Sequence, residues 1–275
     1  MDLKRSRWIL AVVLASFASV GAQAGADEPN LTEEQKIDFL QHAKVITSER
    51  EKKGKSNASH LTLSDGKLTH DASFQPIDEK KAQGPGPRGG IELTFRDYWG
   101  YNIAGYRIAK LLGVDDMVPV YTERKWNGTT GAISWRVSDE QFDEADRYSR
   151  KIEVPAAVRD AWNKQMYKVR VLTQLFYDMD DNLTNVLITN DWKIWRIDFT
   201  RAFRLQHDLR NAKDLVQCDR EVLAKLRQLG YDQVFDTTKP YLTKDEVTAL
   251  IARRDKMVAH FDELVAQKGE SQVLY

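Results

Sequence analysis

The chain has 275 residues, and its 41 lysine and arginine residues equal its 41 aspartate and glutamate residues in number. This charge balance argues against a general surface for nucleic acids or anionic membranes. The chain is long enough for one large or two small domains, and its one cysteine, Cys218, excludes an intramolecular disulfide. We therefore expect a fold that depends on its own hydrophobic core.

Residues 1–24 have the pattern of a secretory signal peptide. Three basic residues come first, residues 8–20 form an apolar run, and residues 22–24 read Ala-Gln-Ala, which is typical of a cleavage site. The apolar run is too short for a comfortable transmembrane helix. We expect the protein to be exported, periplasmic or secreted, with no transmembrane segment after cleavage.

Residues 25–58 are predicted to hold one helix and a flexible segment. Thr32 and Gln35 have the spacing of a capping box, in which each side chain bonds to the backbone of the other residue. Apolar residues follow at helical spacing, so the helix should begin at Thr32. The charged run over residues 49–56 is typical of a mobile loop.

Residues 59–137 are predicted to form a small β-rich lobe. Alternating apolar residues on both sides of Asp65-Gly66 predict a hairpin over residues 59–77. The stretch over residues 84–90 reads Gly-Pro-Gly-Pro-Arg-Gly-Gly, which predicts a flexible break.

One helix and two more strands complete this predicted lobe. Apolar residues at helical spacing predict a helix over about residues 93–112, which Gly113 would end in a left-handed conformation. Residues 118–126 and 132–137 are predicted strands, with Asn127-Gly128 as the turn between them.

Residues 138–275 are predicted to form a mainly helical lobe. One long helix should run from Pro155 to about Tyr177, and two later helices should span about residues 220–229 and 243–268. A polar hairpin over residues 180–198 interrupts this helical pattern.

The polar hairpin carries the candidate functional residues. Alternating apolar residues on both sides of Asn190-Asp191 predict two short strands, which make Asn185 and Asp198 direct or diagonal cross-strand neighbours. Asp180 lies in the loop that enters the hairpin. Two carboxylates and an amide are oxygen donors that suit a hard cation such as Mg²⁺ with phosphate attached. The alternative is an ordinary hairpin whose Asp and Asn side chains structure its turns.

The motif Asp-x-x-x-x-Asn, a short hairpin and then Ile-Asp-Phe resembles the catalytic core of the atypical protein-kinase-like fold. Phosphoinositide kinases, HipA-type kinases and secretory-pathway kinases have similar motifs. Residues 95–119, FRDYWGYNIAGYRIAKLLGVDDMVP, resemble a helix of those kinases that ends in AAYRLxxLLG and is followed by VP. The resemblance implies an α+β, two-lobed fold, with a small β-rich N-lobe and a mainly helical C-lobe.

The resemblance also implies roles for the polar residues. Asp180 would be the catalytic base, and Asn185 and Asp198 would be the metal ligands. The cofactor would be ATP, or another nucleotide, with Mg²⁺ or Mn²⁺. Phosphoryl transfer depends mainly on positioning and charge neutralisation, which these three groups could supply.

Among the departures from the kinase pattern, two positions concern nucleotide binding. Gln75 stands where the lysine that binds ATP is expected, and Asn102 stands where its glutamate partner is expected, although Glu92 could substitute for that partner. Gln75 and Glu92 are therefore the candidate cofactor-binding residues.

The sequence thus predicts an exported kinase-like phosphotransferase. Its partners would be a nucleotide and an acceptor, either a protein, a lipid or a small molecule, and no nucleic acid. The alternative, which the replaced lysine–glutamate pair favours, is a catalytically inactive kinase-like binding module of the cell envelope.

Overall fold

The computed structural model describes residues 31–51, 58–86, 90–138, 140–180 and 182–275. The predicted signal peptide and most of the predicted mobile loop lie outside the described residues. Within these ranges, no helix combines the length and the apolar character that crossing a membrane would require.

The first part of the chain contains a five-stranded antiparallel sheet in the order β1-β2-β3-β7-β6, a separate two-stranded ribbon and two helices. Its elements are α1 (Glu33–His42), β1 (Lys44–Arg50), β2 (Ser59–Ser64), β3 (Thr69–Gln75), β4 (Asp78–Pro85), β5 (Ile91–Tyr98), α2 (Gly100–Leu112), β6 (Tyr121–Trp126) and β7 (Thr129–Trp135).

The local signals in this part are confirmed where side chains bond to the backbone. The Thr32 hydroxyl accepts from the backbone N of Gln35 at 3.3 Å, and the Gln35 side chain accepts from the backbone N of Thr32 at 2.8 Å. Asp65 closes the β2–β3 hairpin by accepting from two backbone N–H groups, both at 2.8 Å. Strand β1 was not predicted, because it is a polar edge strand with no buried residue.

The prediction for residues 84–98 was wrong. Instead of a flexible break and the start of a helix, β4 and β5 pair as an antiparallel ribbon. Gly84 and Pro85 belong to β4, and the Gly86 backbone N donates to the Gly90 carbonyl at 2.7 Å, whereas residues 87–89 lie outside the described residues. Helix α2 therefore begins only at Gly100, although it ends at Gly113 in the left-handed conformation as predicted.

The second part of the chain is mainly helical and carries a three-stranded sheet in the order β10-β9-β8. Its elements are β8 (Glu140–Asp143), α3 (Glu144–Ser149), α4 (Arg159–Phe176), β9 (Val186–Thr189), β10 (Ile194–Arg196), α5 (Arg220–Gln228), α6 (Tyr231–Thr238), α7 (Lys244–Lys268) and α8 (Glu270–Val273).

Most of the long elements of this part match the sequence pattern. The hairpin β9–β10 and the helices α5 and α7 are confirmed, and Thr243 caps α7 with a capping box. Helix α4 starts later than predicted, because Pro155 leads into a short 3₁₀ turn, Ala156–Val158. The elements β8, α3, α6 and α8 were not predicted, since each is short and buries few side chains.

The fold is thus α+β and two-lobed, with a small β-rich part and a mainly helical part, as predicted. One buried apolar cluster joins α2 to α4, α5 and α7, and it includes Phe199. Gly105 of α2 lies so close to Phe199 that an added Cβ would stand 2.7 Å from the ring. Helix α2 therefore packs directly against the residue that follows Asp198.

Candidate functional site

A cavity of about 210 Å³ lies between the five-stranded sheet and the polar hairpin. Residues of β3, β6 and β7 line it from one side, and β9 and the residues that flank the hairpin line it from the other. The lining residues include Glu51, Ser73, Gln75, Arg136, Glu140, Asp143, Asn185, Leu187, Ile197 and Asp198. The cavity therefore brings together both predicted metal ligands and Gln75.

The hairpin register places the two predicted metal ligands diagonally. Arg196 pairs with Val186, so Asn185 stands opposite Ile197, whose backbone N donates to the Asn185 carbonyl at 3.0 Å. Asp198 follows in the left-handed conformation, with φ at 58°. Such a conformation is unfavourable for a residue other than glycine, and it is often retained at functional sites.

Each predicted metal ligand lines the cavity and has neighbours that orient its side chain. The Asn185 side-chain N donates to the Asp180 carbonyl at 3.2 Å, which leaves the amide oxygen as the atom that could hold a cation. One Asp198 carboxylate oxygen accepts from the Thr200 hydroxyl at 2.8 Å, and the other accepts from Gln75 at 3.1 Å. Both ligands are hard oxygen donors, so the residues present fit Mg²⁺ or Mn²⁺.

Gln75 and Asn102 connect α2 to the loop that holds Asp198. The Asn102 side-chain N donates to the Gln75 amide oxygen at 2.6 Å, and the Asn102 amide oxygen accepts from the Phe199 backbone N at 2.6 Å. Asn102 is fully buried. These two neutral amides therefore fix the position of Asp198 without adding positive charge.

Glu92 lies elsewhere. It is buried on β5 and forms ion pairs with Arg201 at 2.6 Å and with Arg204. These contacts tie the β4–β5 ribbon to the segment after Asp198. The structure brings Gln75 together with Asn102 and Asp198, and it does not bring Glu92 into that cluster.

Asp180 lies in a loop that a buried ion pair supports. Asp178 pairs with Arg196, and both side chains are almost fully buried. The second Asp178 carboxylate oxygen accepts from the Asp180 backbone N at 3.0 Å, while Arg196 also donates to the Asn185 carbonyl at 3.2 Å. One pair of charges thus orients the backbone at the predicted base and at one predicted metal ligand.

Neither Asp178 nor Arg196 was predicted to belong to the site. A signal for Arg196 was present, because it stands in the alternating face of β10 that also carries Ile194. A charged residue at such a position indicates a buried partner, since an isolated charge inside a protein is very unfavourable. The helix exit at Asp178 offers that partner.

Asp97, at the end of β5, is a further carboxyl close to Asp198. Burial and the negative charge of Asp198 raise its pKa to about 6, and Arg201 opposes this rise. One of its carboxylate oxygens is buried with no hydrogen-bond partner among the described residues. The negative charge of Asp198 therefore disfavours the ionised form of Asp97.

The similarity of this chain to known proteins lies in its structure. No family model and no curated protein matches the sequence. A Helicobacter pylori proinflammatory kinase, CtkA, is 11% identical over 84% of this chain and 97% of its own, with a TM-score of 0.47.

Two structures of a Golgi casein kinase are similar to this chain over 88% of its length and 78% of theirs. The first is 13% identical with a TM-score of 0.60. The second, with Mn and ADP bound, is 12% identical with a TM-score of 0.63. The similarity shows that the chain has the atypical protein-kinase-like fold that its hairpin motif and α2 resemble.

Replacement of Asp178 by alanine should destabilise the protein strongly. Arg196 would stay buried without its counter-charge, which costs about 3–5 kcal/mol. The matched control is Asp236→Ala, because Asp236 pairs with Lys239 at 2.8 Å on the exposed surface and should matter by less than about 1 kcal/mol. Urea denaturation of both variants measures the two changes, and similar small losses would contradict the prediction.

Removal of the Asp97 carboxyl should stabilise the protein in a pH-dependent way. Because the folded-state pKa is raised above its ordinary value of about 4, the folded protein favours the protonated form, and this advantage is lost as the pH rises through 6. Asp97→Asn should therefore gain roughly 2–3 kcal/mol at pH 7.5 and much less at pH 4.5. Denaturation at both pH values tests this, and an equal gain at both would disprove it.

Proposed function

We propose that this protein is a kinase-like phosphotransferase that binds a metal–nucleotide complex in the cavity between its lobes. The observation that carries the proposal is that Asn185 and Asp198 face one cavity with oriented oxygen atoms. The kinase-like fold supports it, as does the similar Golgi casein kinase structure that has Mn and ADP bound.

Within the proposed site, each group of this chain has a separate task. Asn185 and Asp198 would hold the metal ion, which when bound neutralises charge on the nucleotide phosphates. Gln75 and Thr200 keep the Asp198 carboxylate in place. Leu187 and Ile197 also line the cavity and give it an apolar part.

Asp180 would accept the proton of the acceptor hydroxyl. The acceptor oxygen then bonds to the terminal phosphorus, and the bond from that phosphorus to the nucleoside diphosphate breaks. Asp178 fixes the backbone of Asp180 for this task. The charge pattern of residues 1–24 supports export, so we place the reaction, and a protein, lipid or small-molecule acceptor, outside the cytoplasm.

A second candidate function is binding without catalysis. The neutral pair of Gln75 and Asn102 favours it, because a kinase normally has a lysine here that contacts the phosphates. Such a protein would retain the two-lobed fold and the cavity as a module of the cell envelope that binds a ligand.

The proposed function predicts metal-dependent nucleotide binding. ATP with Mn²⁺ should raise the melting temperature of the full chain, and ATP without a divalent metal should not. Asp198→Asn should abolish the shift because a metal ligand is lost, whereas the exposed Asp236→Asn should preserve it. Asp180→Asn should preserve binding and lower self-transfer or hydrolysis of labelled ATP by about 10²-fold or more.

Two results would contradict these expectations separately. No metal-dependent shift with either ATP or GTP would exclude the metal–nucleotide site. Metal-dependent binding with turnover that is absent, or unchanged in Asp180→Asn, would favour the binding module or another base.

Restoration of the charged pair should strengthen nucleotide binding. In the double variant Gln75→Lys/Asn102→Glu, a lysine would stand close to the bound phosphates, and a unit charge at this range should tighten binding roughly tenfold. The matched control Gln83→Lys/Asn211→Glu makes the same changes at two exposed positions. Titration calorimetry with Mn²⁺ and ATP measures both, and equal affinities in a folded double variant would refute the role of this position in phosphate binding.

A further inference from the structure

A second charged group lines the cavity away from the predicted metal ligands. Arg136, directly after β7, forms an ion pair with Glu51 at 2.6 Å and donates to the Ser73 hydroxyl at 3.3 Å. All three residues line the cavity. The Arg136 and Glu51 side chains keep 30% and 25% of their surface exposed, so a ligand in the cavity can reach them.

This group lies further along β3 than the predicted metal site. Ser73 lies two residues before Gln75 on β3, which separates their side chains by about 7 Å on the same face of the sheet. Gln75 contacts Asp198 at the metal end, and Ser73 contacts Arg136 at the other end. A nucleotide whose phosphates lie at Asp198 would therefore present its base to Arg136.

The N–H groups of Arg136 that make no hydrogen bond to the described residues lie along one edge of its guanidinium group. Among the described residues, its Nη1 atom makes the bonds to Glu51 and Ser73, which leaves the N–H groups of Nε and Nη2 for a ligand. These two atoms are a planar fork that binds two adjacent acceptors. Guanine presents such a pair, N7 and O6, whereas adenine presents one acceptor and one donor, N7 and N6.

We propose that Arg136, oriented by Glu51 and Ser73, is the base-recognising residue of the cavity and selects a guanine nucleotide over an adenine nucleotide. This inference rests on the proposed function, because it requires a nucleotide in the cavity. The Golgi casein kinase with ADP bound shows that the fold also accepts adenine, so the selectivity would belong to the residues of this chain.

A purely structural role explains the pair less well. The backbone N of Arg136 donates to the Asp71 carbonyl at 3.1 Å, so the main chain fixes this residue without its side chain. A partly exposed ion pair contributes little to stability. Both residues nevertheless line the cavity.

The test compares three nucleotides with Mn²⁺ by calorimetry: ATP, GTP and ITP, whose base has the same N7 and O6 acceptors as guanine. The full chain should bind GTP and ITP about tenfold or more tighter than ATP, as expected for one bidentate contact. Arg136→Lys keeps the charge but loses the fork, so it should still bind nucleotides and lose the preference. Arg136→Gln should also lose it.

The matched control is Arg227→Gln, which removes an arginine from the exposed ion pair with Asp262 at 2.5 Å and should keep the wild-type preference. The ratio of affinities is the decisive value, because a general loss of stability would weaken all three nucleotides alike. Equal or tighter binding of ATP, or a preference that survives in Arg136→Lys, would overturn the inference while leaving the proposed function intact. Binding of no nucleotide would overturn both.

Discussion

The buried ion pair between Asp178 and Arg196 is the interaction on which the candidate site depends. Transfer of two charges from water to the interior is unfavourable, and a well-packed apolar pair would often be as stable. Each member of the pair also makes a further bond. Asp178 accepts from the Asp180 backbone N, and Arg196 donates to the Asn185 carbonyl. Its effect is therefore positional, because it joins the loop before the hairpin to both of the strands that carry the polar residues.

Next to this pair of charges, neutral groups hold Asp198 in place. The two amides of Gln75 and Asn102 connect α2, β3 and the Asp198–Phe199 backbone in one continuous chain of hydrogen bonds. Close packing of Phe199 against Gly105 supports the same connection. Asp198 is thus positioned by hydrogen bonds from neutral side chains, which position the carboxylate without a neighbouring positive charge from Gln75 or Asn102.

The sequence allowed prediction of features that depend on neighbouring residues. The cap at Thr32 and the hairpin from Asp180 to Asp198 depend on short-range hydrogen bonds, so the sequence pattern predicts them. The ribbon of residues 78–98 was missed because glycine and proline favour both breaks and turns, and only pairing with a partner strand decides between them. Glu92 and Arg196 were misplaced or missed because their partners lie on other elements.

The charges of the cavity suggest how its two ends cooperate. Among the described lining residues, Glu51, Glu140, Asp143 and Asp198 are acidic and Arg136 is basic. A bare polyphosphate would be repelled by this surplus of negative charge, whereas a divalent cation would be attracted. Metal and nucleotide should therefore strengthen the binding of each other, and the coupling must be equal in both directions. With a cation at Asp198, the phosphates would meet a positive charge. At the far end of the cavity, the base would meet the guanidinium group of Arg136.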